Sequence, residues 1–181
     1  MHLILNEDNI KFEEVNQIRE KVRAILIDEN DQVLIANYGD VFLLPGGYPE
    51  DSERYIDAII RELKEETGII YNYDELSYYG LIEHYQKDYP SRNGRISNKL
   101  VNTYYFVGDY KGFSKKDQLL TLREYIDNLS FIMVPLENIE TLIYDHISDN
   151  PRSEFFDAEL YVIMQNFIQS RKKNQKLQLK K

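Results

Sequence analysis

The chain has 181 residues, 43% hydrophobic and 29% charged, which fits one domain with a sizeable core, with or without a terminal extension. It contains no cysteine, so disulfides, cysteine-ligated zinc and a cysteine nucleophile are excluded. Its net charge of −9 argues against a general nucleic-acid binder and calls for metal ions wherever a polyphosphate is held.

The charge is uneven. Residues 171–181 hold six cations and no acid; without them 16 basic residues face 31 acidic ones, and the body carries −15. This basic stretch reads as a solvated, disordered tail following a single domain over 1–170. No run approaches the ~18 apolar residues of a membrane span, and Met1 to Asp8 lacks the basic lead and apolar stretch of a signal peptide. A cytoplasmic protein with no membrane partner is expected.

In chain order, residues 1–20 form an extension of ambiguous structure, a strand and then a helical piece. Residues 21–27 read as a strand, Asp28–Asp31 as a turn and 32–36 as the returning strand of a hairpin. Val41–Leu44 is a short apolar run broken by Pro45-Gly46-Gly47. From Tyr55 to Thr67 the period turns helical, with Tyr55, Ile56, Ile59, Ile60 and Leu63 on one stripe. Asp51 or Ser52 is placed to cap its start and Gly68 to end it in a left-handed cap. Strands are expected at 76–84 and 100–107, around a polar loop with Pro90, Asn93 and Gly94, and at 129–134 before Pro135. Helices follow near 137–144 and 154–170. Interspersed strands and helices imply an α/β or α+β sandwich in one domain.

The polar side of the 55–67 helix carries the chemistry. Glu62, Glu65 and Glu66 stand at i, i+3 and i+4 and share a face. Two of them lie in the last turn, where the helix dipole disfavours each acid by roughly 0.3–1 kcal/mol and like charges repel. A divalent cation reverses the sign of every one of these effects, and clustered carboxylate oxygens suit magnesium or manganese. Taken alone, three glutamates on a helix are more often a solvated face.

Their surroundings change that reading. Gly47, Glu53 and the run Arg61-Glu62-Leu63-Lys64-Glu65-Glu66-Thr67-Gly68-Ile69 reproduce G-x5-E-x7-R-E-U-x-E-E-x-G-U at every defined position. This resembles the Nudix box, and a chance match in a chain of this length is on the order of one in a million or rarer. Leu44-Pro45-Gly46-Gly47 is similar to the usual entry to the box, whereas Ser52 departs from the glycine common before the conserved glutamate.

The resemblance, extending over roughly residues 20–145, implies the Nudix α/β/α sandwich around a mixed β-sheet. It also implies Mg2+ (or Mn2+) dependent hydrolysis of a phosphoanhydride bond in a nucleoside diphosphate linked to another group. Glu65 and Glu66 are the first-choice metal ligands, with a Gly46 or Gly47 carbonyl beside them and Glu62 as third ligand or general base. Glu53 braces the site and Arg61 orients the acids. In several members of that family the base lies past the box; Glu124 is the first candidate here and Glu137 the next, against a reading of both as ordinary loop acids. His84 is a further candidate, against a structural role.

Substrate selection is less legible. Arg23 and Tyr85 are the expected substrate contacts, Tyr85 being placed like a tyrosine of dinucleoside polyphosphate hydrolases. The proline that marks ADP-ribose hydrolases is missing, since His84 and Tyr85 occupy its region. A triphosphate pyrophosphohydrolase shares the same box, a nucleotide sensor would have lost box glutamates that are all present here, and an RNA-end enzyme conflicts with the acidic body. The expected partner is a small nucleotide; the resemblance leaves room for a homodimer.

Overall fold

The computed structural model of the protein describes residues 1–39, 41–91, 93–146 and 148–178, without the side chains of 123 and 174–178. Among them are seven strands and four α-helices: β1 (His2–Leu5), β2 (Gln17–Ile27), β3 (Gln32–Asn37), β4 (Phe42–Leu43), α1 (Tyr55–Thr67), β5 (Ser77–Pro90), β6 (Ile96–Asp109), α2 (Leu122–Ile126), β7 (Ser130–Pro135), α3 (Ile139–Tyr144) and α4 (Ser153–Gln178). The strands join one mixed sheet in the order β1-β5-β6-β2-β3-β4, with β7 also on β3. β2 runs parallel to β6 from Gln17↔Lys99 to Ile27↔Asp109, and β5 is antiparallel to β6.

Alternation along β2 explains the layers. Val22, Ala24 and Leu26 pack with Ala58, Ile59 and Leu63 of α1, while Ile25 and Ile27 pack with Leu160, Ile163, Met164 and Phe167 of α4. A strand buried on both faces needs apolar side chains at successive positions, and each fully buried one contributes roughly 1.5–3 kcal/mol. The result is a helix layer on either side of a mixed sheet.

The β2–β3 hairpin opens almost at once. Only Ile27↔Val33 pair between the two strands, and β3 instead makes six pairs with β7. The vacated edge of β2 is taken by the glycine loop: Ala24 N–H donates to the Pro45 carbonyl (2.9 Å) and Val22 N–H to that of Gly47 (3.0 Å). The loop is thereby fixed against the sheet, and α1 follows it.

Several expectations need adjustment. α1 has the expected limits, and Gly68 ends it in the left-handed region (φ 73°), its N–H on the Lys64 carbonyl. Neither Asp51 nor Ser52 caps it, however. The N-cap is Arg54, and Ser52 (φ 64°) sits in a preceding turn closed by Glu53 N–H to the Glu50 carbonyl. β5 and β6 reach beyond the expected strands because polar residues continue their ladder, with Tyr89↔Ser97 and Pro90↔Ile96 still paired. β2 begins at Gln17, so the ambiguous first segment is β1, a 3-10 turn at Phe12–Glu14 and the polar start of β2. The basic stretch from 171 continues α4 as far as Gln178; residues 179–181 lie outside the described residues. Among the described residues no helix is long and apolar enough to cross a membrane.

Candidate active site

α1 presents its acids to a cleft of about 510 Å³, bounded by β2, the glycine loop, α2 and the approach to α4. Carboxylate oxygens of Glu62, Glu66 and Glu124 come within 4.8 Å of one another. The first two are one helical turn apart on α1. The third arrives by a connection that starts at the end of that same helix.

The last carbonyls of an α-helix have no partner within it. Here the segment after β6 supplies partners. Leu119 N–H donates to the Glu65 carbonyl (2.9 Å), the Gln118 side chain to that of Glu66 (2.6 Å) and Ser114 N–H to that of Thr67 (2.9 Å). Thr121 and Glu124 then form a capping pair, Thr121 N–H on Glu124 Oε2 (2.7 Å) and Glu124 N–H on Thr121 Oγ1 (3.3 Å). Capping α1 therefore sets the position of Glu124, on α2 rather than in a loop.

Glu66 is 2% exposed and accepts the Gly46 N–H at 2.7 Å. Burial drives its pKa up to about 8; Arg23 and the Gly46 N–H oppose this, while Glu62 and Glu124 add to it. Burial likewise raises the pKa of Glu62, against the pull of Arg61. Gly46 is required as glycine: at φ 126° a Cβ would meet the Val22 carbonyl and the Ile59 side chain. A Cβ on Gly47 would enter the Glu62 carboxylate.

Arg61 ties the acids together. Its Nε and Nη2 grip Glu53 at 3.0 and 2.9 Å, its Nη1 reaches Glu62 at 2.9 Å and Glu65 at 3.2 Å, and Nη2 also donates to the Tyr48 carbonyl at 3.0 Å. The Glu53 carboxyl is held below its ordinary pKa, chiefly by the Arg61 hydrogen bond. Glu65 lines the cleft but belongs to Arg61 rather than to the three-carboxylate cluster. Arg23 donates to the carbonyls of Leu44 (2.9 Å) and Gly46, so it braces the glycine loop while facing the acids.

Not every candidate residue reaches the cleft. Tyr85 lies in a separate depression with Leu5, Lys87 and Phe155, away from the glutamates. Glu137 belongs to another, beside Asn30 and Arg171. His84 is buried against Glu159 (3.4 Å) and Gln86 (3.3 Å) and does not line the cleft. Conversely, Lys21, Tyr48, Asn150, Arg152 and Phe156 line it without having been singled out. The alternation of Lys21 with Arg23 along β2 was their only sequence signal.

A loop pinned to a sheet edge, a glutamate helix and an arginine clamp have now been placed. The NUDIX domain matches residues 17–154 of this chain. The chain belongs to the Nudix family and is a Nudix hydrolase. It is similar in fold to the MutT protein of Methanosarcina mazei Go1 (18% identity, TM-score 0.50, covering 83% of this chain and 96% of that one). It also resembles a NUDIX hydrolase from Nitrosomonas europaea (21%, 0.50, 80% and 88%). A MutT protein from Bacillus halodurans follows with 18% identity and a TM-score of 0.48, covering 78% and 82%. No curated protein matches the chain.

Chemically, the Nudix site suits a hard divalent cation. All its donors are oxygens, they converge within a few ångströms, and one carboxyl is too deeply buried to ionise readily unless positive charge arrives.

Proposed function

We propose that this Nudix hydrolase cleaves a phosphoanhydride bond in a nucleoside diphosphate linked to another moiety, in a magnesium-dependent reaction. The observation that carries this reading is the convergence of Glu62, Glu66 and Glu124, with Glu66 buried and short of a cation. Manganese fits the same oxygen donors. Among the backbone oxygens, the carbonyl ligand is Gly46 or Gly47; each accepts one hydrogen bond, from Arg23 and from Val22 N–H respectively, and keeps a second lone pair.

A divalent cation bound there supplies neutralisation of the diphosphate and a lowered pKa for water. The chain's own residues do the rest. Arg61 fixes the rotamers of Glu53, Glu62 and Glu65, so the acids need no rearrangement when substrate binds. Glu124 accepts Thr121 N–H through Oε2 and brings a carboxylate oxygen within 4.8 Å of those of Glu62 and Glu66, which suits it to take the proton from the attacking water. Arg23 holds the Gly46 carbonyl in place and offsets part of the acidic charge at the incoming phosphates. Tyr48 and Phe156 flank the Lys21 ammonium at 6.0 and 5.0 Å and offer apolar faces to a base. The cleft volume lies within the ordinary range for a small-molecule site.

The test is a release screen in magnesium over nucleotide sugars, dinucleoside polyphosphates, NADH, coenzyme A and triphosphates. Glu66→Gln should lose on the order of a hundredfold or more, because even outer partners of metal ligands cost ten- to a hundredfold. Silence of the wild type across the panel, with nucleotide binding retained, would replace the hydrolase with a nucleotide sensor.

A further inference from the structure

At the cleft, Lys21 and Arg152 belong to a cluster of cations that the cutting chemistry does not use, with Lys99 and Arg19 beside them. Arg19, Lys21 and Arg23 alternate along β2 and share a face. A strand rise of about 3.3 Å per residue puts Lys21 roughly 7 Å and Arg19 roughly 13 Å from Arg23 along the strand, leading away from the residue that faces the acids. Lys99 enters from β6, opposite Gln17, and Arg152 from the turn before α4. Lys21 and Arg152 line the cleft, and Lys99 stands 3.6 Å over the ring of Tyr89, which also lines it.

Among the described residues, none of Arg19, Lys21, Lys99 and Arg152 has a carboxylate within 4.0 Å. Arg152 donates to the Asn150 side chain at 3.2 Å. Glu159 acts on Lys21 from a distance, but its carboxylate is taken by Tyr105 (2.6 Å) and His84 (3.4 Å). The cations are close enough to feel one another: the Lys99 ammonium is pushed down to about 8, first by burial and then by Lys21, Arg19 and Arg152. In a chain of net charge −9, a group of like cations left without acids is unfavourable until an anion joins it.

We propose that Lys21, Lys99 and Arg152 form a second phosphate subsite, so that the substrate carries a phosphate group beyond the linkage that is cut. The inference rests on the hydrolase reading for where that linkage lies. Two sources share this chemistry: further phosphates within the bridging chain, as in a dinucleoside polyphosphate, and a phosphate ester on the ribose of the nucleotide. Nucleotide sugars with a neutral distal moiety lack it and are disfavoured. The remote phosphate binds the cluster by charge-assisted hydrogen bonds and adds affinity without joining the reaction.

Matched pairs test this. Diadenosine tetraphosphate is compared with diadenosine diphosphate, coenzyme A with its 3′-dephospho form, and ADP-ribose 2′-phosphate with ADP-ribose. Binding to Glu66→Gln is measured by calorimetry in magnesium, and kcat/KM on the wild type. In at least one pair the member with the extra phosphate should be favoured roughly tenfold or more; which pair responds names the source. Lys99→Gln and Arg152→Gln, with thermal melts to confirm folding, should each shrink that preference severalfold, and Lys99→Arg should keep it. No preference in any pair overturns the subsite, as does a preference that survives both glutamine variants. Preferential binding with no cleavage of any compound would sink the hydrolase and leave the subsite standing; cleavage without preference would do the reverse.

Discussion

Two buried glutamates, on helices packed against opposite faces of the sheet, have their pKa values pushed in opposite directions. Glu66 on α1 and Glu159 on α4 are 2% and 7% exposed. Burial opposes ionisation of both. For Glu66 it prevails and lifts the pKa to about 8. For Glu159 burial is outweighed by the hydrogen bond from His84, the Lys21 charge and the Tyr105 hydroxyl, and the pKa falls to about 2. Depth alone therefore does not set the charge of a buried acid. Glu159 has His84 and Tyr105 on its carboxylate and Lys21 nearby, whereas Glu66, for which a cation is proposed above, accepts the Gly46 N–H.

This contrast can be broken most directly by removing each charge in turn. Glu159→Gln removes the buried carboxylate that Tyr105 and His84 hydrogen-bond and should destabilise the protein by about 3 kcal/mol, lowering Tm by roughly 6–12 °C. Glu66→Gln should raise Tm in metal-free buffer at pH 8, because it deletes a buried charge the fold does not satisfy. Melts of both variants with chelator present decide the matter; shifts of the same sign would end the comparison.

The pH dependence sharpens it. Glu66 has a folded pKa above its ordinary value of 4.5, so its contribution is full below that value and is lost as pH rises through about 8. Glu159 has a folded pKa below 4.5, so its contribution is present above 4.5 and is lost as pH falls toward about 2. Between pH 5.5 and 7.5, below the Lys99 value of about 8, Glu159 is constant and Glu66 varies. Metal-free wild type should then lose on the order of 2–3 kcal/mol across this window, Glu66→Gln should lose much less, and magnesium should flatten the wild type. Denaturant titrations at four pH values would show it.

A smaller effect comes from the end of α1. Gly68 is in the left-handed region, and a Cβ there would run into the Ser114 carbonyl. Gly94 has a similar φ of 78° with open space around it. Gly68→Ala should cost roughly 2 kcal/mol and Gly94→Ala about 1 kcal/mol. Only the first should also lower kcat, because Ser114 begins the segment that carries Glu124. Equal kcat losses in the two variants would detach Glu124 from the cap of α1.

How much of this was legible follows from which signals are periodic. Apolar spacing and a terminal glycine delimited α1 and placed Glu62 and Glu66 on one face. The first residues of β2, Gln17 to Glu20, are largely exposed and polar apart from Ile18, so the strand could be seen only from its buried half. Glu124 drew attention as an acid past the box, yet α2 went unseen, although Thr121-x-x-Glu124 is a capping signature. Lys21 and Arg152 meet at the cleft only through tertiary packing, which leaves no local pattern.

Tyr85 and Tyr48 provide the finest comparison. Both follow the glycine entry and both are tyrosines in a tyrosine-rich chain, so composition does not distinguish them. The strand carrying Tyr85 runs from Ser77 to Pro90, and its cleft residue is Tyr89, past a register shift between Gln86 and Tyr89. Such an irregularity turns the end of a strand toward a site that its middle does not reach. Tyr48, by contrast, follows the two glycines directly, is 53% exposed, and gives its backbone carbonyl to Arg61. Tyr48→Ala should raise KM roughly fivefold, the loss of one base-stacking face, with kcat nearly unchanged because its carbonyl remains on Arg61. Tyr85→Ala should leave KM within about twofold, the effect of a change in packing outside the cleft. If the Tyr85 variant moved KM and the Tyr48 variant did not, the base would bind along the middle of β5 and not at the mouth of the glycine loop.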